Sequence, residues 1–298
     1  MDSSDSGKAN ALMIAPQVSV EASFEEVLCN PSIRGVALAT PAETQSSLAI
    51  RAMESGKDVF VEKPMALTLK DAERMKEVAD REGRILMIGH LLEYHPAVLK
   101  LRELISNGSL GKVNYIYSNR LNFGKVRTEE NALWSFAPHD VAVILRLMGV
   151  SPIEASATGG TYLTKGLTDV TVSNLRFSNE SRAHIFVSWL HPFKEQRLVV
   201  VGDRKMAIFN DVAPKGEKLQ LYPNSVEFQG NLPVLMKKDM QFVEHLETEP
   251  LLEECEHFLK CILSRDKPLT DASSGIEVLK VLHACQASIE QNGLPVCI

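Results

Sequence analysis

No two of the 17 glycines in this 298-residue chain are separated by a single residue. The sequence therefore contains no G-x-G-x-x-G turn of the kind that lets a backbone close around a pyrophosphate. Cysteine is scarce and unpatterned. Cys29, Cys255, Cys261, Cys285 and Cys297 form an odd set without C-x-x-C spacing, which argues for free thiols in a reducing compartment rather than a disulfide framework. No H-E-x-x-H or similar ligand spacing occurs, so no metal is expected. Apolar runs are short; the one at 141–145 falls far below the ~20 residues that a membrane span requires. There is no excess of basic charge either: 32 Lys and Arg stand against 38 Asp and Glu, scattered along a chain of net charge −6, which excludes the basic stripe of a nucleic-acid surface. The first ten residues, MDSSDSGKAN, lack the basic and apolar regions of a secretory leader, and a cytoplasmic location is expected.

The chain does contain 45% hydrophobic residues, spread evenly enough to exclude disorder and to build a sizeable core. Residues 35–40 (GVALAT) read as a buried strand, and residues 41–55 follow with Leu48, Ala49, Ala52 and Met53 on one helical face. A second short strand is expected at 59–61. A helix then starts at Thr68, with Asp71 three residues on as in a capping box. Residues 84–89 (RILMIG) complete a strand–helix–strand–helix–strand series, the pattern of a parallel sheet. A further strand at 18–22 and a brief helix at 24–28 precede it. Parallel sheets bind ligands beyond the carboxyl ends of their strands. Topology alone therefore brings Thr40-Pro41, Glu62-Lys63-Pro64 and Gly89-His90 to one crevice.

The stretches ALATPAE, GKDVFVEKPMAL, MIGH and YHPA resemble the Gfo/Idh/MocA family of NAD(P)-dependent sugar oxidoreductases, and the resemblance runs from Asp2 to the C-terminus. The segment 121–140, LNFGKVRTEENALWSFAPHD, is similar to a subgroup that includes nucleotide-sugar 3-dehydrogenases acting on UDP-N-acetylated hexoses or their uronic acids. The resemblance implies α/β plus α+β architecture: an N-terminally incomplete Rossmann-type parallel sheet over 1–112, then a mixed or antiparallel sheet with helices on one face over 113–298. The chain is expected to start at the end of the family's second strand, without the unit of about 30 residues that carries the glycine-rich turn, so weak NAD or NADP binding is expected.

The same resemblance assigns candidate residues. Asp2, Thr40, Pro41, Gln45, Glu62, Lys63 and His90 are the expected cofactor contacts, and Lys63 and His139 the expected catalytic pair. From spacing alone Lys63 reads as a solvated lysine at a strand end; desolvation there would lower its pKa and suit it to proton transfer. His139 is expected to open a helix, where the dipole would keep it neutral. Two departures stand out: Ser135 occupies a position where the family has Asp, and Gln45 one where it has His. His95 is expected to cap the helix beginning at Pro96. Arg120, Asn122, Arg127 and Asn131 are expected on a substrate-facing loop, Arg being suited to phosphate or carboxylate; spacing alone equally allows a solvated strand edge. The stripe Leu252, Cys255, Phe258, Leu259 and Ile262 reads as core packing. The expected activity is hydride transfer between NAD(P) and a ring hydroxyl, at C3, of a sugar or nucleotide sugar. The expected assembly is a homo-oligomer joined through the second-domain sheet. A non-catalytic sugar-binding homologue is the alternative.

Overall fold

The computed structural model describes residues 4–17, 19–21 and 23–298. Asp2 lies outside them, as do both ends of the strand expected at 18–22; the described residues between those ends are not in a strand. An unforeseen helix α1 (Asp5–Ile14), capped by Ser4, precedes α2 (Phe24–Cys29).

The first layer alternates as expected: β1 (Gly35–Leu38), α3 (Ala42–Glu54), β2 (Asp58–Glu62), α4 (Leu69–Glu82) and β3 (Leu86–Gly89), with the three strands parallel in the order β1-β2-β3. Thr68 caps α4 by accepting from Asp71 N, and Gly83 ends it at φ +61°, a left-handed residue that glycine adopts without strain. A 3-10 turn at Leu91–Tyr94 leads into α5 (Pro96–Ser106), where His95 Nδ1 accepts from Ala97 N at 3.1 Å, the expected cap.

The second layer is a nine-stranded mixed sheet. Its strands are β4 (Val113–Phe123), β5 (Pro152–Gly160), β6 (Val170–Phe177), β7 (Arg182–Ser188), β8 (Leu190–Gly202), β9 (Met206–Asn210), β10 (Leu219–Tyr222), β13 (Gln241–Phe242) and β14 (Val296–Cys297), in the order β13-β10-β9-β8-β4-β7-β6-β5-β14. Only β4 and β7 run parallel. The hairpin β11 (Ser225–Gln229) and β12 (Leu232–Met236) stands apart from it. The long helix α6 (Ala132–Met148) and the C-terminal α8 (Ala272–Glu290) cover one face of the sheet.

The small sheet is covered on both faces: Phe60 and Met87 pack against Phe258 and Ile262 of α7 (Pro250–Ser264), while Val59, Val61 and Ile88 face the opposite core. Thus chain from beyond residue 250 completes the first layer. The expectation that the α7 stripe is all core packing is corrected. Phe258 and Ile262 are buried, but Leu252 and Leu259 are 55% and 59% exposed and Cys255 is exposed. The helix has one sheet to cover, and only the half of its stripe that meets Phe60 finds it. No helix among the described residues is long and apolar enough to cross a membrane.

Candidate active site

Lys63 leaves the end of β2 and points at α6. Its Nζ donates to the backbone carbonyl of Ser135 at 3.1 Å. Burial lowers its pKa, helped by Arg127 and Arg120; Glu130 and Glu62 oppose the shift. The Glu62 carboxylate folds back, accepting from Lys63 N at 3.2 Å. It fits because residue 89 is glycine: a Cβ there would lie 3.1 Å from Glu62 Oε2, tighter than ordinary contacts allow.

His90, at the end of β3, is 2% exposed, and neither ring nitrogen has a partner among the described residues. Burial, with Lys63 and Arg146, pushes its pKa down to about 3, so the ring is neutral. His139 is half-buried and its Nδ1 is likewise unpartnered. Its pKa also lies well below the ordinary histidine value, first through burial and then through Lys63, Arg120 and His90. The expected cause is corrected. His139 does not open the helix: Asn131 caps α6 by accepting from Trp134 N at 3.1 Å, which places His139 eighth in the helix with Pro138 inside it. Near the middle of a helix the dipole contributes little, and desolvation does the work.

Gln45 is 2% exposed; its amide donates to the Thr40 carbonyl at 3.1 Å, and its Oε1 has no partner among the described residues. Thr40 accepts from Thr44 Oγ1 at 3.0 Å, and Pro41 starts α3. The three strand ends therefore converge as topology requires. Together with α6 they present unused polar atoms on Gln45, His90 and His139, a set that fits a polar, hydroxyl-rich ligand.

The residues expected on a substrate-facing loop divide. Arg120 is inside β4 and forms a buried, two-pronged pair with Asp140 at 2.7 and 3.3 Å, where Asp140 also accepts from Ser118 Oγ. Asp140 is thereby committed and cannot replace the aspartate absent at Ser135. Asn131 spends its side chain on the α6 cap and on Gln286. Asn122 ends β4, half-buried, and Arg127 lies in the following loop, 3.5 Å from Glu130. Sequence reasoning missed Glu93, Arg146 and Glu254. Glu93 is buried against Arg146 Nε, and its pKa rises to about 7 through burial. Nothing in the periodicity of their segments distinguishes these residues from solvated helix faces. Among the described residues no group of three or more His, Cys, Asp or Glu could hold a metal.

Comparison with known proteins identifies the family of both layers. The family model for the oxidoreductase family with an NAD-binding Rossmann fold, GFO_IDH_MocA, matches residues 2–90, and the GFO/IDH/MocA C-terminal domain matches residues 98–208. A 2,7-anhydro-N-acetylneuraminate hydratase of Mediterraneibacter gnavus is 28% identical over 217 residues, 68% of this chain and 58% of its own. A UDP-N-acetylglucosamine 3-dehydrogenase of Acidithiobacillus ferrooxidans is 25% identical over 264 residues, 87% of this chain and 79% of its own. The solved structure of that dehydrogenase superposes with a TM-score of 0.83 at 22% identity, covering 96% of this chain and 88% of that one. The chain spans between half and two thirds of the length of several curated relatives, at 58% and 53% for two of them.

Proposed function

The chain belongs to the Gfo/Idh/MocA oxidoreductase family, and from that premise we propose that it moves a hydride between NAD(P) and the C3 hydroxyl of a UDP-linked N-acetylated hexose or hexuronate. One observation carries the reading: a desolvated Lys63 amine, its Nζ held by the Ser135 carbonyl, acts electrostatically on two neutral, incompletely bonded histidines, His90 and His139. Oxidising a secondary alcohol needs a base for the hydroxyl proton and a donor to steady the forming carbonyl. Lys63 serves the first need when neutral and the second once it has taken the proton. His139, already neutral, offers a second acceptor in the same crevice.

A nicotinamide dinucleotide supplies the hydride acceptor or donor when bound. The residues that would hold it are Thr40, Pro41, Gln45, Glu62 and His90, of which Gln45 and His90 keep unused polar atoms that fit such a group. Asp2, assigned by resemblance to the cofactor ribose, is outside the described residues. Arg127 and Asn122 remain available to the substrate; Arg120 acts through Asp140 and the helix that bears His139. The open face of the large sheet supports the expected oligomer. Tyr115 and Val172 are exposed on it, with His184 bonded to Asn174 between them.

The decisive experiment measures turnover of UDP-N-acetylhexoses in a protein that binds NAD(P). Lys63→Ala is expected to lower kcat by ~10²–10⁴, the usual contribution of an acid–base group, with little change in dinucleotide affinity. A loss of less than a few-fold refutes the assignment. A sugar-binding homologue without turnover is the second reading, favoured by Ser135, which cannot orient an imidazole as a carboxylate does. Sugar binding without hydride transfer at any pH would establish it.

A further inference from the structure

Among the described residues, four of the five buried carboxylates have partners. Asp140 has Arg120 and Ser118, Glu93 has Arg146, Asp58 has Arg265 and Ile85 N, and Asp169 accepts from Trp189 Nε1 and the amides of Tyr162 and Leu163. Glu254 of α7 is different. It is 1% exposed, and neither of its oxygens has a hydrogen-bond partner among the described residues. An unpartnered buried carboxylate is strongly unfavourable and is retained only where something repays it. Its surroundings compound the cost. Burial, then Glu62 from β2, then Glu93 from the 3-10 turn raise its pKa to about 8. Tyr94 and Cys255 feel its charge in return, and Arg146 is engaged with Glu93. Helix α7 runs back along β2, with Arg265 paired to Asp58 at the strand's start and Phe258 against Phe60, so Glu254 lies toward the strand ends, where Gln45 and His90 also hold unused polar atoms.

We propose that Glu254 is a ligand-binding residue of this crevice, its carboxylate accepting hydrogen bonds from the vicinal hydroxyls of a ribose or hexose ring. The proposal rests on reading the crevice as the dinucleotide and sugar site. The acidic surroundings turn away phosphate and carboxylate groups, whereas a diol offers two neutral donors that can span both carboxylate oxygens. Such donors favour the ionised form. Ligand binding near neutral pH therefore expels the proton that the free protein retains on Glu254.

Isothermal titration calorimetry of the 298-residue chain tests this. NADH and UDP-N-acetylglucosamine are titrated separately, each in two buffers of different ionisation enthalpy at pH 7, against wild type, Glu254→Gln and Glu254→Leu. For one of the two probes, wild type is expected to release up to one proton. Both variants lose that release and bind the same probe about tenfold more weakly, as expected for one charge-assisted hydrogen bond. The probe affected tells ribose from hexose. Glu254→Leu, freed of the unpartnered carboxylate, is also expected to melt above wild type, an outcome that a merely structural role would reverse. Equal affinity and equal proton release in all three proteins would overturn the proposal while leaving the dehydrogenase reading intact. Failure of wild type to bind either probe, even at millimolar concentration, would overturn both.

Discussion

Charges of both signs surround Lys63, and their balance sets the pH at which it can accept a proton. Glu130 is the largest charge raising its pKa, and Arg127 the first lowering it. In the oxidation direction, activity is expected to climb with pH as the amine loses its proton. Glu130→Gln removes the opposing charge and should move that rise to lower pH; Arg127→Gln should move it to higher pH. A pH–kcat profile that stays put in both variants would show that Lys63 is not the titrating base. The neutral histidines lie outside this window. With its pKa near 3, His90 does not change charge anywhere in the assay range.

At the scale of elements, α6 does more than cover the large sheet. Its first turn supplies the Ser135 carbonyl that holds Lys63, and its middle supplies His139. The Asn131 cap starts it, fastened from the other side by Gln286 of α8 and by Ala132 N donating to the Thr168 carbonyl at 2.9 Å. Asn131→Ala is expected to cost about 1 kcal/mol of stability in urea titration, the usual worth of such a cap. It should also lower kcat by loosening the turn against which Lys63 is held. Full stability with unchanged kcat would mean that the cap is dispensable.

For the molecule as a whole, the described chain before Gly35 is the least anchored part. In α1, Met13 and Ile14 are 77% and 85% exposed, and among the described residues β1 is the edge of its sheet. Limited proteolysis should cut before Gly35 first, because local opening is cheapest where few apolar contacts hold the chain; initial cleavage beyond residue 113 would contradict this. Buried ionisable groups set the pH dependence of stability. The native state holds His90 near 3, below its ordinary 6.5, so that contribution is present above 6.5 and is lost as pH falls toward 3. Glu254 and Glu93, raised from 4.5 to about 8 and about 7, act in the opposite sense, and their contribution fades as pH rises from 4.5 through those values. The melting temperature should therefore decline between pH 6.5 and 8, and Glu254→Gln should flatten that decline. An equally steep fall in the variant would place the titration elsewhere.

Local periodicity and resemblance sufficed for the three parallel strands, the helices between them, the Thr68 and His95 caps, and the meeting of Lys63 with His90 at the strand ends. Those features follow from which side chains alternate or recur along a few residues, and such patterns survive in one dimension. Tertiary structure alone decided the rest. It set the true start of α6, because Asn131 finds both Trp134 N and Gln286 across 155 residues of chain. It took Arg120 away from substrate, because Asp140 lies opposite on α6. It brought α7 back onto the first sheet and with it Glu254, a glutamate like many others on a helix until the fold removed its water and left it without a partner among the described residues. Desolvation and charge pairing depend on what the rest of the chain places nearby, and no local pattern of residues records that.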